Sequence, residues 1–353
     1  MKVGLLSGIR TISIQETPKP EITKPNEVLL KVLAVGVCGS DIHYFKDGRI
    51  GSAIVKFPFR IGHEFSGEVV QTGKGVRKLK IGDRVAIDPA IFCGKCDQCL
   101  QGRFNTCRTL TFMGSPGLAD GCLAEYVVVP QESCFASKKL TAEQLCLVEP
   151  LSIGVYAAKY ALPFERKTPE GKSLGKKTVG ILGAGPIGLS TLLAVKAFGA
   201  GNVYITDKID FRVETARKSG AIWAGNSIKD DIVDEVSKRE PQLLDVVFEC
   251  AGEQETLDQA CELLKPGGSL VIVGIHAVGR ISFSADVLRR REITIYSVRR
   301  QNESTYDALK LLESGKVNAD FMATHRFPMA EARKAYETVA DYRDNVLKAL
   351  IIL

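Results

Sequence analysis

The sequence has no run approaching the roughly 18 to 20 unbroken apolar residues that a membrane-spanning helix needs, which argues against a helical membrane protein. Its first residues, MKVGLLSGIRTIS, meet charge and polarity too early for the apolar stretch of a secretory signal. There is no low-complexity segment, no evident internal repeat and no long block of one charge. The densest basic run, VLRRRE at 287–292, reads as a solvated face, so nucleic acid is not an expected partner. A cytoplasmic location is therefore expected. In that reducing compartment, ten cysteines point to metal binding or plain burial before disulfides. Histidine is scarce, with four in the whole chain.

What remains is ordinary for a globular protein: 45% hydrophobic and 25% charged residues, with a mildly basic net charge of +6. At 353 residues, two domains are the natural expectation. The first 150 residues read mainly as β. NEVLLKVLAVGV (26–37), FSGEVVQTG (65–73), GDRVAID (82–88) and LAEYVVVP (123–130) are Val-rich runs parted by Gly, Pro and Asp. This mixture suggests a compact barrel-like domain. At Thr141-Ala-Glu-Gln144 a capping-box spacing opens a helical stretch, which Pro150 is expected to interrupt, leaving Glu149 at the break. From 178 the pattern alternates. Strands at TVGIL, NVYIT, LDVVFEC and SLVIVGI are separated by helical segments near 186–199, 209–219 and 254–264, as in a doubly wound parallel sheet.

Within that alternation, GILGAGPIGL sets Gly183, Gly185 and Gly188 as G-x-G-x-x-G between a strand and a helix. The first glycine permits a tight turn, the second lets a pyrophosphate approach the backbone, and the third lets helix pack on strand. Asp207 ends the next strand, where a carboxylate would accept from ribose hydroxyls and repel a 2′-phosphate; NAD is favoured over NADP. Arg212 nearby blurs that preference or flanks the adenine. A tight strand–helix turn without ligand is the plain alternative.

Two groups of residues suggest metals. Cys93, Cys96, Cys99 and Cys107 are spaced C-x2-C-x2-C-x7-C, which suits a closed tetrahedral Zn²⁺ site that organises a loop. An iron–sulfur cluster, a disulfide or unliganded thiols are the alternatives. The second group draws on GVCGSDIHYF (36–45), GHE (62–64) and the Glu149 carboxylate in an otherwise apolar run. One thiolate, one imidazole and one carboxylate beside an exchangeable position describe a catalytic zinc. A core cysteine and a hydrogen-bonded histidine would explain the same residues more simply.

GVCGSDIHYF, GHE, the four-cysteine loop, LVEPLSIGV, GAGPIG and FECAG occur in this order over nearly the whole chain. In that order the sequence resembles the zinc-dependent medium-chain dehydrogenases of the zinc alcohol dehydrogenase superfamily. HYFKDGRIG, followed by VKFP and GHE, is closest to the polyol branch of sorbitol and xylitol dehydrogenases. The resemblance implies an α/β chain with a GroES-like β-rich catalytic domain (1–155, with 291–353 returning to it in part). A Rossmann doubly wound parallel-sheet coenzyme domain (156–290) would follow, with the active site in the cleft between them. It implies that Cys38, His63 and Glu64 ligate the catalytic zinc, with Glu149 holding bound water or moving in as a ligand. Ser40 and His43 would relay the substrate proton, and Tyr44, Phe112 and Arg299 would line the substrate cleft. Pro186, Ile187, Asp207, Arg212, Val273, Gly274, Ile275 and Val298 would meet NAD along with the glycine loop.

The implied reaction oxidises a secondary alcohol of a polyol or sugar derivative to a ketone, and a homodimer or homotetramer is implied as well. SVRRQNE departs from the sorbitol enzymes in placing Arg300, instead of Tyr, beside Arg299. Two guanidinium groups suit an aldonate or sugar phosphate, unless Arg300 faces coenzyme or solvent. A threonine-dehydrogenase-like enzyme and a catalytically silent, crystallin-like binder of zinc and NAD are the remaining alternatives.

Overall fold

The computed structural model describes residues 1–161 and 174–353. The chain divides into two compact units, Met1–Glu149 with Thr305–Leu353, and Pro150–Ser304. No helix among the described residues is long and apolar enough to cross a membrane.

In the first unit, the ten-residue strand Glu27–Gly36 is the spine of a seven-stranded sheet. It pairs antiparallel with Glu64–Thr72 on one side, and with Tyr126–Pro130 and then Lys348–Ile352 on the other. Sharing one edge between two successive partners curls the sheet, and register shifts near Leu29/Leu30 and Val32/Ala34 add to the bend. Val28, Leu30, Val32, Phe65, Val69 and Ile87 are among the side chains that fill the interior. Burying each large apolar side chain contributes about 1.5–3 kcal/mol, which offsets the chain entropy lost on ordering these strands. The strand Lys348–Ile352 lies inside this sheet, between Glu27–Gly36 and the edge strand Ala323–Pro328.

The second unit is a six-stranded parallel sheet. Its order is Trp223–Asn226, Val203–Asp207, Val179–Leu182, Leu244–Glu249, Leu264–Ile272 and Thr294–Ser297. The order reverses between Val179–Leu182 and Leu244–Glu249, and ligands of such sheets bind beyond the carboxyl ends of the strands at that reversal. The unit runs past residue 290 because Thr294–Ser297 pairs with Leu264–Ile272 as the edge strand.

Thr141 and Gln144 form the expected capping box: Gln144 N donates to Thr141 Oγ1 (3.2 Å) and Thr141 N donates to Gln144 Oε1 (2.9 Å). The break in the helical run differs from expectation. It falls at Leu147, between helices Ala142–Cys146 and Val148–Tyr160, and Pro150 lies inside the first turn of the second. Proline is tolerated there, since first-turn N–H groups have no intrahelical partner. Glu149 thus sits in a helical first turn instead of at a proline break.

Candidate metal centres and coenzyme site

Two strand ends bring the first group together. The strand Glu27–Gly36 runs through Val37 into Cys38, which stands at the N-terminus of the helix Gly39–Asp47. His63 immediately precedes the strand Glu64–Thr72, and Gly36 is the register partner of both Glu64 and Leu350. Donor atoms of Cys38, His63 and Glu64 lie within 4.8 Å of one another, with His63 and Glu64 buried. Gly36 is required beside them, because a Cβ there would fall 2.4 Å from Glu64 Oε2.

The surroundings suit a cation. His63 Nδ1 faces Asp41 Oδ1 at 3.5 Å, an electrostatic contact longer than a formed hydrogen bond, so Nε2 is the ring nitrogen that could meet a metal. Burial draws the His63 pKa down, but the charges of Asp41 and Cys38 outweigh it and carry it well above the ordinary value. Ser40 Oγ donates to Cys38 Sγ at 3.3 Å. The Glu149 carboxyl is pushed up to about 7, chiefly by burial; His63 pulls it down and Glu64 pushes it up. Its charge is felt by the group although it is not one of the three clustered donors. His43 is partly exposed, with Nδ1 at 3.5 Å from Asp47 Oδ2. The Phe112 ring lies 5.2 Å from that of His63, and Tyr44 is buried in the core of the first unit.

Sequence reasoning gave no role to Asp41 and did not single out Lys348. Lys348 Nζ donates to Glu64 Oε2 (2.7 Å), Glu64 Oε1 (2.8 Å) and Val37 O (3.2 Å), in full burial. A lone lysine in the apolar terminal run NVLKALIIL was the available signal.

The four-cysteine loop fits a tetrahedral ion. Sulfur separations are 3.6 Å (Cys96–Cys99), 3.9 Å (Cys96–Cys107) and 4.0 Å (Cys93–Cys99), close to the ~3.8 Å edge of a tetrahedron with Zn–S bonds near 2.3 Å. These separations far exceed a disulfide bond, and all ten cysteines are free. Backbone N–H groups of Lys95 and Cys96 lower the Cys93 thiol to about 6, whereas burial and its sulfur neighbours push Cys99 up to about 12. Four adjacent thiolates therefore need a cation to be deprotonated together.

In the second unit, Gly183 takes a positive φ of 104° at the end of Val179–Leu182. A Cβ on Gly188 would lie 1.8 Å from Gly183 O, so the third glycine is imposed by the packing of helix Pro186–Ala197 on its strand. Gly185 caps that helix, with Pro186 in its first turn, and Ile187 follows in the same turn; its free N–H groups suit a pyrophosphate. Asp207 accepts from Ala184 N (2.8 Å) and Ile209 N (2.9 Å), and Arg212 Nη1 stands 3.7 Å from its Oδ2. Val273 and Gly274 donate through their N–H groups to Glu249 O, and Ile275 extends the loop into solvent; Val298 donates to Ile272 O. These residues share the carboxyl edge of the sheet. Arg299 is exposed, while Arg300 is half-buried with φ 56°.

The family model for the alcohol dehydrogenase GroES-like domain matches residues 24–139, and that for the zinc-binding dehydrogenases matches 186–314. Sorbitol dehydrogenase of Bacillus subtilis is 35% identical, covering 99% of this chain and 97% of that protein. L-idonate 5-dehydrogenase of Vitis vinifera is 36% identical, covering 95% and 90%. The crystal structure of an Escherichia coli oxidoreductase of unknown specificity superposes with a TM-score of 0.91 at 32% identity, covering 99% and 98%. GroES-like and Rossmann units joined in this order, over full-length similarity, fix the assignment: the chain belongs to the zinc-binding alcohol dehydrogenase family.

Proposed function

We propose that this chain oxidises a secondary alcohol of a polyol or sugar derivative to a ketone, passing hydride to NAD. Cys38, His63 and Glu64 hold the catalytic zinc, with Glu149 beside them, and Cys93, Cys96, Cys99 and Cys107 hold a structural one. The observation that carries this reading is the meeting of sulfur, nitrogen and oxygen donors within 4.8 Å at two strand ends. Its relatives named sorbitol dehydrogenase support the polyol class.

Bound by Cys38, His63 and Glu64, zinc would supply Lewis acidity to the reacting hydroxyl. The protein groups do the rest. Ser40 Oγ, a donor and acceptor in one atom, takes the substrate proton and passes it toward His43, whose partial exposure opens the route to solvent. Asp41 keeps the His63 ring aligned. Glu149, poised at about 7, holds or releases a proton beside the reacting position. Asp207 and the glycine loop fix the coenzyme, and the Asp207 carboxylate favours NAD over NADP. A cytoplasmic location and a homodimeric or homotetrameric assembly complete the reading, on the family resemblance.

A second reading, an acidic sugar such as an aldonate, is favoured by Arg299 and Arg300 and by the L-idonate 5-dehydrogenase relative. Sorbitol, xylitol, L-idonate, a polyol phosphate and L-threonine, assayed by NADH absorbance with zinc counted per chain, separate these readings. Turnover of the neutral polyols is expected; preference for the anions would replace the first reading with the second, and turnover of none would refute both.

A further inference from the structure

The terminal strand Lys348–Ile352 reads KALII, and its only charge is buried at 2% exposure. An ammonium removed from water is costly unless its three protons find acceptors. Here all three do: Glu64 Oε2 at 2.7 Å, Glu64 Oε1 at 2.8 Å and Val37 O at 3.2 Å. The contacts bracket the donor group, since Val37 precedes Cys38 and Glu64 follows His63. Each carboxylate oxygen keeps a lone pair after accepting from Lys348. Glu64 is therefore placed to face two cations at once, one fixed in the fold and one exchangeable.

Resting on the assignment of Cys38, His63 and Glu64 as zinc ligands, we propose that Lys348 is a positioning residue that shares Glu64 with the metal. It compensates the buried carboxylate when no ion is bound and weakens the hold on the ion when one is. Two consequences follow from charge alone. Without the ammonium, Glu64 in the metal-free chain becomes a buried anion with its main countercharge removed, so that state loses stability. In the loaded chain the ion supplies the missing charge, and it no longer meets repulsion from a neighbouring cation. A lysine that merely filled space would change both states alike.

The test compares wild type, Lys348→Met, Lys348→Arg, Glu64→Gln and the double variant Glu64→Gln/Lys348→Met, each as the full chain. Thermal midpoints are taken with zinc loaded and after chelation, and zinc release to a chromophoric chelator is timed. In Lys348→Met the gap between loaded and chelated midpoints should widen by about 4 °C or more, and zinc release should slow about tenfold. Lys348→Arg, which keeps the charge, should restore both toward wild type. If Lys348→Met does not fold, the double variant decides, because it leaves no stranded charge; it should hold zinc more tightly than Glu64→Gln alone. An unchanged or narrower gap in Lys348→Met, or no gain in the double variant, overturns the proposal. Equal zinc content in wild type and Cys38→Ala would instead overturn the metal site, and the inference with it.

Discussion

Asp41 Oδ1 stands 3.5 Å from His63 Nδ1, and Asp41 is fully buried with neither carboxylate oxygen in a hydrogen bond among the described residues. Its charge acts on the imidazole, orienting the ring and raising its basicity. Asp41→Asn should keep the fold but weaken zinc binding about 10- to 100-fold, the usual cost of losing such a partner. Zinc competition titrations measure this; unaltered affinity would assign Asp41 a purely structural part.

Cys38→Ala or His63→Ala should abolish turnover and lower bound zinc by one ion per chain. NAD binding should persist, because Gly183, Gly188 and Asp207 belong to the other unit. Metal analysis alongside fluorescence titration with NADH checks both arms, and normal turnover in either variant would refute the ligand assignment.

The four-cysteine loop should behave differently. Its small cluster adds only Leu110, Phe104 and Ala90 to the four cysteines, too little apolar surface to hold the loop unaided. Cys96→Ser should lower the thermal midpoint and lose the second zinc before it alters the chemistry at Cys38. A stable variant with full zinc content would contradict a structural site.

Asp207 is engaged twice by its own backbone, through Ala184 N and Ile209 N. Asp207→Ala should raise the KM for NAD about tenfold, the scale of a lost charged hydrogen bond. The ratio of kcat/KM for NAD over that for NADP should fall as repulsion of the 2′-phosphate disappears. An unchanged ratio would place the discrimination elsewhere.

Glu143 pairs with Arg326 at 2.5 and 2.8 Å, and the guanidinium holds its pKa below the ordinary 4.5. A lowered folded value means stability present above the unfolded value and lost as pH falls through the folded one. Glu143→Gln should therefore be slightly less stable than wild type at pH 7, by up to about 1 kcal/mol for so exposed a pair. The difference should shrink as pH falls through the folded value and vanish in acid below it, where the carboxyl is protonated in both states. Thermal midpoints across that range check it; a constant difference would deny the ion pair any contribution.

The local devices were legible because each is written in consecutive residues. Sulfur spacing predicted the thiolate loop, since four cysteines within fifteen positions cannot avoid one another. The glycine array, the acid after the next strand and the capping box at Thr141 are fixed by backbone sterics and short-range hydrogen bonds in the same way. The proline break was misplaced because a first helical turn tolerates what a helical interior does not. What joins Cys38 to His63 and Glu64 is strand register, Gly36 against Glu64, and no spacing along the chain encodes it. Lys348 is the extreme case, 284 residues from the carboxylate it grips. The sequence alone determined which donors and which coenzyme loop exist. Only the tertiary structure decided that a cation from the last strand neutralises a candidate metal ligand, because a charge can be buried only where the fold closes its countercharge around it.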